Sequence, residues 1–504
     1  MIPAGERSLA PPASHRLLES APAATPAGRA LLLILVTLAG AYLRLLHLGT
    51  KSLWQDEPAT VALARMLWPH FVKVWWHGEA GYQAAYFFLM RGWLHLGQSE
   101  AWIRLPAAMF GIASIPLIYA VARKLVRVEA ALASAAMLAF SPTHVYYSQE
   151  ARSYTMTILL VLVSSWFFVR AVQQDREGDW VLWTIFSVLA IESHSFASFV
   201  LVAQACSLFL HKKPSPWARM VGHSFLILMV TAPLTAFIFW LLPQTTIDSW
   251  MPKPTPKQVL HLALFLGGSG EKLVLSMILW MAAVSAICRD RVRAPRGDMF
   301  WRGMFLISWA VVPIVLTGLL SLYRPVFVQR YMIFCLPATI ILAGLGMSAL
   351  ANRHLGFWLV IALCTTSIVN VFVGYRKPRE DWRSATDAII AFAQPGDAIV
   401  VYPPYARPGF DYYYERHRQS APELRIFTPS FYGYGAGEDD QSLMRALSSN
   451  QREFGHVWVI IRREGPTRED LQAYSPEVAA KLHTIFPEPE SRQFNGITVL
   501  EFGR

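Results

Sequence analysis

Charged residues are scarce in this sequence. Of its 504 residues only 16% are charged, whereas 54% are hydrophobic. An ordinary soluble domain carries roughly 25% charged residues. The net charge of +11 need not indicate nucleic acid, because polytopic membrane proteins collect Lys and Arg on their cytoplasmic side. The composition therefore argues against a soluble protein and favours one with many membrane spans.

Cysteine is also rare, and phosphate-binding loops are absent. The four cysteines, Cys206, Cys288, Cys335 and Cys364, all lie in apolar segments. This pattern argues against a disulfide framework and has no zinc-site spacing. The glycine-containing stretches at 267–270 and 344–346 are too short for phosphate loops, and neither lies between a strand and a helix.

Long apolar runs dominate the remaining sequence. A bilayer core requires roughly 18–20 apolar residues in a helix. The runs predict about eleven spans, near 29–47, 105–123, 130–148, 152–171, 180–193, 195–211, 220–242, 272–288, 303–322, 331–350 and 355–374. Lys and Arg are densest in the loops that face the cytoplasm if the N-terminus is inside. An odd span number then places the C-terminus outside.

The fold class expected is an α-helical polytopic membrane protein with a small C-terminal extracytoplasmic α/β domain. We expect a disordered cytoplasmic tail at 1–28, a membrane domain at 29–375 and the α/β domain at 376–504. Within 57–97 and 256–266, polar residues and aromatics interrupt the apolar pattern. These segments are typical of amphipathic helices that lie on the bilayer, and the first segment is predicted to form two of them, near 57–68 and 82–96. Strands are predicted at 398–402, 456–462 and 496–502.

Two adjacent carboxylates, Asp56 and Glu57, directly follow the first span. A helix N-terminus with Asp56 as its cap explains them structurally. A general base or metal ligand beside the lipid headgroups is the functional alternative. Arg104, at the outer entrance of the next span, is either an interfacial anchor or a bidentate phosphate ligand.

The segment YYSQEARSYT at 146–155 places polar residues in a short outer turn between two spans. Glu150 and Arg152 form either an ion pair that tethers this turn or a pair that faces a polar cavity. Gln149 and Tyr154 flank them and are further cavity candidates.

Two more outer boundaries carry candidates. Glu192 and His194 form a weak metal-site signal, or a polar break between two helices. Arg324 and Arg330 form a second possible phosphate-binding cluster. All of these charged groups map to one membrane face. A transporter would instead place polar residues near mid-bilayer in broken helices.

Four segments resemble a known family: SLWQDEPATVALA, SEAWIRLPAAMFGIASIPLIYAVARKL, SPTHVYYSQEARSYTMTILL and QRYMIFCLPATIILAGLG. They look like the bacterial branch of glycosyltransferase family 39, similar to protein O-mannosyltransferases and to aminoarabinose and galacturonic acid transferases of lipid A. These enzymes belong to the GT-C superfamily. The resemblance covers roughly residues 30–375, and Asp-Glu after the first span and Arg-Leu-Pro at the next are its most specific marks.

The resemblance implies a polyprenyl-phosphate sugar donor and inverting transfer outside the cytoplasm. It makes Asp56 the catalytic carboxylate, Glu57 its partner, and Arg104 and Arg152 arginines of the lipid-phosphate region. One departure is the stretch at 81–86, where many bacterial members carry Pro-Pro-Leu-Tyr-Tyr. The β-trefoil domain of the eukaryotic mannosyltransferases has no counterpart either, which makes a protein acceptor less favoured.

The expected function is therefore that of a bacterial inner-membrane glycosyltransferase with Asp56 as general base. Its acceptor would be a glycolipid, a cell-envelope glycan or a protein. A divalent metal is possible but not required by the sequence, with Asp56, Glu192 and His194 as weak ligand candidates. The rival hypothesis is a transporter or flippase of lipid-linked sugars. A membrane scaffold for the C-terminal domain would leave the outer carboxylates and arginines without a role.

Overall fold

A computed structural model describes most of the chain. The described residues are 25–76, 83–211, 216–240, 251, 253–293, 298–323, 325–429, 437–449, 454–463 and 470–503. Arg324, most of the predicted N-terminal tail and residues 81–82 of the departing stretch lie outside these residues.

In the described part of the chain, sixteen α-helices precede the C-terminal domain. They are α1 (Pro26–Leu45), α2 (Asp56–Arg65), α3 (Trp68–Trp76), α4 (Ala84–Trp93), α5 (Glu100–Leu125), α6 (Val128–Phe140), α7 (Pro142–Ser148), α8 (Tyr154–Gln174), α9 (Glu177–Ser193), α10 (Ser198–Leu208), α11 (Pro216–Trp240), α12 (Pro256–Gly267), α13 (Glu271–Arg293), α14 (Asp298–Tyr323), α15 (Leu336–Ala349) and α16 (Arg353–Arg376). Short 3-10 helices at Ser195–Ala197 and Gln329–Cys335 precede α10 and α15.

Seven helices in the described part of the chain are long and apolar enough to cross a membrane. They are Pro26–Leu45, Glu100–Leu125, Tyr154–Gln174, Glu271–Val292, Met299–Tyr323, Gln329–Ala349 and Arg353–Arg376. This set confirms a polytopic membrane protein. The other four predicted spans coincide with α6 and α7, α9, α10 and α11, so about eleven spans stays a prediction.

The predicted span 130–148 is divided into two helices at Ser141. Pro142 occupies the first turn of α7, and the Ser141 hydroxyl accepts a hydrogen bond from the His144 backbone N–H. Proline cannot supply the backbone N–H that a continuing helix needs, but it suits a first turn. A serine cap followed by proline therefore ends α6 and begins α7.

The helix that contains Gln329–Ala349 lies at the centre of the bundle. In the most apolar stretch of this segment 78% of the residues are buried, whereas only 11% are buried in the corresponding stretch of Pro26–Leu45. Gly346 permits close packing there, because a Cβ at this position would clash with the Leu279 carbonyl of α13. Small residues allow such close backbone approach between membrane helices.

The segments predicted to be amphipathic are short helices. Residues 57–97 form α2, α3 and α4, apart from the residues that are not described, and 256–266 falls within α12. One helix more than predicted is present because Met66 adopts an extended conformation after α2, and α3 begins two residues later. Their position on the bilayer surface stays a prediction.

A five-stranded sheet with helices follows α16. Its helices are α17 (Trp382–Phe392), α18 (Arg407–Arg416), α19 (Asp440–Ser449), α20 (Leu471–Tyr474) and α21 (Pro476–Ile485), and a 3-10 helix spans Pro404–Ala406. Its strands are β1 (Ala398–Tyr402), β2 (Arg425–Ile426), β3 (His456–Arg462), β4 (Glu490–Phe494) and β5 (Ile497–Gly503).

The strand order is β2-β1-β3-β5-β4. β1 pairs in parallel with β2 and β3, whereas β5 is antiparallel to β3 and β4. The three predicted strands correspond to β1, β3 and β5. Sequence reasoning missed β2, which has two residues, and β4, whose sequence ESRQF is almost entirely polar.

One face of this sheet packs toward the membrane helices through α17 and α18. A single apolar cluster joins Leu53, Tyr86 and Ile103 of the membrane part to Trp382 and Phe410 of the C-terminal part. Polar contacts add to it: the Leu53 backbone N–H donates to the Tyr413 hydroxyl at 2.8 Å. The C-terminal domain is thus fixed to the segment that carries Asp56 and Glu57.

Candidate active site

Asp56 and Glu57 form the first turn of α2, where negative charge is favourable for the helix dipole. The prediction of Asp56 as the N-cap is wrong. Gln55 occupies the cap position, and its side chain makes no capping hydrogen bond. Asp56 is therefore already helical, so its carboxylate is not occupied in capping.

Glu57 is fully buried and held from several sides. Its carboxylate accepts two hydrogen bonds from Arg104, from Nε at 2.8 Å and from Nη2 at 2.7 Å. The backbone N–H groups of Ala151 and Trp54 donate to it at 3.0 and 3.2 Å. Burial alone would raise the pKa of Glu57, but Arg104 and the Ala151 N–H lower it below its usual value.

Arg104 is equally engaged. Its Nη1 donates to the carbonyl oxygens of Leu48 and Lys51 at 3.0 and 2.9 Å, and its Nη2 donates to Ser52 at 2.9 Å. Together with Glu57, these acceptors occupy every N–H of the guanidinium group. This geometry favours Arg104 as the residue that fixes the loop before α2, rather than as a phosphate ligand.

Arg379, which sequence reasoning did not single out, lies on the other side of Glu57. Its Nη1 is 3.7 Å from Glu57 and its Nη2 is 3.8 Å from Glu150. We call Glu57, Arg104, Arg379 and Glu150 the Glu57 cluster. The signal available in the sequence was the charged run that starts at Arg376, directly after the last span.

Glu150 is the member of this cluster whose carboxylate lacks hydrogen-bond partners among the described residues. Its carboxylate is fully buried, and neither oxygen accepts a hydrogen bond from the residues that the structure describes. Burial raises its pKa to about 7, although Arg379 acts in the opposite direction. The predicted Glu150–Arg152 ion pair does not occur in the described structure, because Glu150 faces Arg379 instead.

The Asp56 carboxylate, unlike that of Glu57, is partly exposed and lies near Arg330. Its side chain is 21% exposed, and the nearest guanidinium nitrogen of Arg330 is 3.7 Å from Oδ2. Arg152 approaches from a third segment, with Nη1 at 3.5 Å from the Asp56 carbonyl oxygen and 3.3 Å from the Thr60 hydroxyl. Two arginines from separate loops therefore converge on the start of α2.

Buried polar atoms without protein partners surround these arginines. Within the described part of the chain, the Tyr154 hydroxyl, both ring nitrogens of His194 and the Nε of Arg152 make no hydrogen bond. The rings of His194 and Tyr331 lie 5.2 Å apart, and those of His194 and Tyr154 lie 6.2 Å apart. We call Asp56, Arg152, Tyr154, His194 and Arg330 the Asp56 chamber.

Buried polar groups are normally hydrogen-bonded, so these groups are suited to bind water or a polar ligand. Burial, together with the positive charges of Arg152 and Arg330, lowers the pKa of His194 to about 3. The imidazole is therefore neutral at physiological pH and can donate or accept a hydrogen bond. The chamber combines one carboxylate, two guanidinium groups and neutral polar groups.

Gln149, predicted to be a cavity residue, is not part of the Asp56 chamber but lines a separate cavity near the end of α1. Its amide donates to the carbonyl oxygens of Leu43, Arg44 and Leu46 at 3.3, 3.1 and 2.7 Å. These are the carbonyls at the C-terminal end of α1, which the helix itself leaves unsatisfied. Gln149 thus caps α1 and connects it to the turn that carries Glu150 and Arg152.

The described residues contain no group of three or more His, Cys, Asp or Glu side chains that converge as metal ligands. The arrangement gives no support to Glu192 and His194 as a metal-binding pair. His194 lies close enough to the cations Arg152 and Arg330 for both to affect its pKa, and such surroundings disfavour a bound cation.

The sequence and the fold were compared with known proteins. The sequence pattern of the dolichyl-phosphate-mannose-protein mannosyltransferases matches residues 84–242. This segment begins within the stretch at 81–86 where the chain departs from many bacterial members. No curated protein sequence is significantly similar to the chain.

Solved structures share the fold over nearly the whole chain. ArnT from Cupriavidus metallidurans in the apo state has a TM-score of 0.62 at 13% identity, with 94% of this chain and 98% of ArnT covered. ArnT bound to undecaprenyl phosphate gives 0.59 at 14% identity, with 95% and 98% covered. The apo oligosaccharyltransferase of Archaeoglobus fulgidus gives 0.52 at 10% identity, with 94% of this chain and 74% of the other covered.

The fold and the matched segment define the class of this protein. It is a multi-pass membrane protein whose fold is similar to that of ArnT. Residues 84–242, less than half of the chain, are similar in sequence to the dolichyl-phosphate-mannose-protein mannosyltransferases.

Proposed function

We propose that this protein transfers a sugar from a polyprenyl-phosphate donor to an extracytoplasmic acceptor, with inversion at the anomeric carbon. The observation that carries this proposal is the contrast between the two neighbouring carboxylates. Glu57 is buried and fully hydrogen-bonded, whereas Asp56 is partly exposed beside Arg152 and Arg330. Only Asp56 is available to a substrate.

Asp56 acts as the general base in this mechanism. The acceptor hydroxyl attacks the anomeric carbon, its proton passes to the Asp56 carboxylate, and the bond between the anomeric carbon and the phosphate oxygen breaks. General-base catalysis contributes about 10²–10⁴-fold. One displacement with one base inverts the anomeric centre, whereas retention requires a second carboxylate as nucleophile.

The leaving polyprenyl phosphate needs charge stabilisation more than protonation. Arg152 and Arg330 supply it, because both guanidinium groups lie at the chamber and guanidinium binds phosphate bidentately. Arg104 does not take this part, since its N–H groups are directed to Glu57 and to backbone carbonyls. The neutral groups of Tyr154 and His194 hydrogen-bond the sugar.

The donor class is supported by structures that share the fold. ArnT binds undecaprenyl phosphate, and the oligosaccharyltransferase AglB of Archaeoglobus fulgidus has been observed with a dolichol-phosphate and an inhibitory peptide. By analogy, the donor's lipid tail lies between membrane helices with its phosphate at the chamber. The acceptor here is a glycolipid, a cell-envelope glycan or a protein.

The placement of the domains follows from the same proposal. The membrane domain, 29–375, holds the chamber at its extracytoplasmic end, with the N-terminus in the cytoplasm of a bacterial cell. The C-terminal domain, 376–504, covers the outer face beside α2. Arg379 and Arg383 connect it to the site, since Arg383 donates to Glu100 at 2.7 Å and Arg379 lies beside Glu57.

The test is a transfer assay on the purified full chain with a polyprenyl-phosphate sugar and envelope glycolipids as acceptors. Asp56→Asn is expected to lower turnover by about 10²–10⁴-fold while the protein still inserts and folds. The matched control is Asp387→Asn, an exposed carboxylate on α17, which should leave turnover unchanged. Near-normal turnover of Asp56→Asn would refute the assignment.

The same preparation in sealed vesicles separates the proposal from a lipid-linked-sugar flippase. A transferase releases polyprenyl phosphate only when an acceptor is supplied. A flippase moves the donor between leaflets without releasing the sugar. Donor movement without sugar transfer would therefore contradict the proposed activity.

A further inference from the structure

A second polar cavity, separate from the Asp56 chamber, opens at the same end of the helix bundle. Its volume is about 540 Å³. Its walls come from the segment that follows α1, from α7, and from the last turns of α16 with the residues after it. Asp56, Arg152 and Arg330 do not line it.

The cavity is strongly basic. Lys51, Lys377, Arg379 and Arg104 line it, and no Asp or Glu is found among its described lining residues. The two nearest carboxylates lie behind the wall, where Glu57 pairs with Arg104 and Glu150 lies 3.8 Å from Arg379.

These pairings leave Lys51 and Lys377 without a compensating charge. Neither makes an ion pair with any carboxylate that the structure describes. The Lys51 ammonium donates only to backbone carbonyls, those of Gly374 at 3.3 Å and Lys377 at 2.8 Å. Burial, with the positive charges of Arg379 and Arg104, lowers the pKa of Lys51. A cluster of uncompensated cations in a concave site attracts anions.

The rest of the wall combines polar side chains, such as Gln149 and Asn370, with apolar side chains from membrane helices. Val371 and Val373 on α16 and Val145 on α7 line the cavity below the cations. Val373 is also 48% exposed on the outer surface of the bundle. A ligand that fits this wall has an anionic head and an apolar body, which is the chemistry of a lipid with a phosphate headgroup.

We infer that this cavity is a binding site for the phosphate headgroup of an anionic membrane lipid, distinct from the donor site at Asp56. The phosphate lies among Lys51, Lys377 and Arg379, and the acyl chains follow α16 and α7 into the bilayer. Because Arg379 also lies 3.7 Å from Glu57, an occupied site stabilises the cluster that fixes the start of α2.

The experiment is native mass spectrometry of the detergent-solubilised full chain, titrated with phosphatidylglycerol, with phosphatidylethanolamine and with inorganic phosphate. One Lys near a membrane surface contributes about 1 kcal/mol of attraction, so Lys377→Gln should weaken phosphatidylglycerol binding about fivefold. The matched control is Arg376→Gln, because Arg376 is exposed one residue away and does not line the cavity. It should leave the affinity unchanged.

The comparison of ligands tests the headgroup assignment. Phosphatidylglycerol is expected to bind more tightly than phosphatidylethanolamine, and inorganic phosphate to compete only weakly. Binding of inorganic phosphate as tight as that of the lipid would overturn the lipid assignment. Equal loss with Lys377→Gln and Arg376→Gln would overturn the site.

A third variant separates this site from the proposed catalytic one. Arg152→Gln in the Asp56 chamber should leave phosphatidylglycerol binding unchanged. Loss of that binding in Arg152→Gln, with normal binding in Lys377→Gln, would place the lipid in the chamber and refute the inference. No step of this titration requires sugar transfer, so failure of the proposed enzymatic activity would not affect its outcome.

Discussion

Glu57 and Asp56 are adjacent residues of one helix, yet the hydrogen bonding around the two carboxylates is opposite. Around Glu57, each carboxylate oxygen accepts from Arg104 and from a backbone N–H. Around Asp56, buried atoms of Arg152, Tyr154 and His194 have no partner among the described residues. A carboxylate with all its hydrogen bonds made, such as Glu57, stabilises the fold, whereas unsatisfied groups beside Asp56 are suited to a substrate.

The comparison also separates arginines that look equivalent in the sequence. Arg104 and Arg330 both lie near an end of an apolar helical segment, and both were candidate phosphate ligands. Arg104 is 2% exposed and bonded at every N–H, whereas the side chain of Arg330 is 25% exposed and lies 3.7 Å from Asp56. Location at the membrane surface therefore does not by itself identify a phosphate ligand.

The largest effect on stability is expected for Glu57→Gln. This change removes the charge that balances Arg104 inside the protein, and breaking a buried ion pair costs about 3–5 kcal/mol. The free energy of unfolding in detergent is the measurement. Glu129→Gln is the control, because Glu129 is 55% exposed and lies 3.9 Å from Arg127; its loss should stay below about 1 kcal/mol. Equal losses would show that the Glu57 cluster is not a structural centre.

Arg330→Gln should have the next largest effect, and on catalysis rather than stability. Loss of a charge-assisted hydrogen bond costs about 1.5–3 kcal/mol, which corresponds to a decrease of about 10–100-fold in kcat/KM for the donor. Steady-state kinetics with a polyprenyl-phosphate sugar measures it. Arg353→Gln, at an exposed N-terminus of α16, should leave kcat/KM unchanged. An unaltered kcat/KM in Arg330→Gln would remove Arg330 from the site.

Glu150→Gln should have the smallest effect, visible as a change in pH dependence. The pKa of Glu150 is raised from 4.5 to about 7 in the folded protein. The folded state therefore binds more protons than the unfolded state between these values, so this group makes stability fall as pH rises through that window. Each pKa unit is worth about 1.4 kcal/mol.

In Glu150→Gln this part of the pH dependence disappears, and stability at pH 8 rises by about 1–3 kcal/mol relative to the wild type. Thermal unfolding between pH 5 and pH 8 measures it. The Glu57 carboxylate affects stability in the opposite direction. Its pKa is lowered in the folded protein, so its contribution to stability is lost as pH falls. A wild-type profile in Glu150→Gln would show that Glu150 is ionised throughout.

Much of the architecture was predictable because it follows from local patterns. Apolar length predicts membrane helices, and the alternation of strands and helices predicts the C-terminal layer. The division at Ser141 and Pro142 was also readable from a serine cap followed by proline. The strand β4 was missed because an edge strand with a polar sequence has no apolar signal.

The candidate site was predictable in its members but not in its pairings. Asp56, Arg152, Tyr154, His194 and Arg330 were all candidates, and the structure brings them together. Which arginine pairs with which carboxylate depends on the packing of segments that are far apart in the sequence. Arg379 contacts Glu57 across more than three hundred residues of sequence, so no local pattern pairs the two.

The division of labour between Asp56 and Glu57 is tested most directly by measuring sugar transfer by Asp56→Asn and Glu57→Gln side by side. The assay is run at a temperature at which both variants remain folded, with the folded fraction measured on the same samples. The account predicts that Asp56→Asn unfolds like the wild type but has almost no turnover, while Glu57→Gln is less stable and keeps measurable turnover per folded molecule. Turnover by Asp56→Asn close to that of the wild type would contradict it.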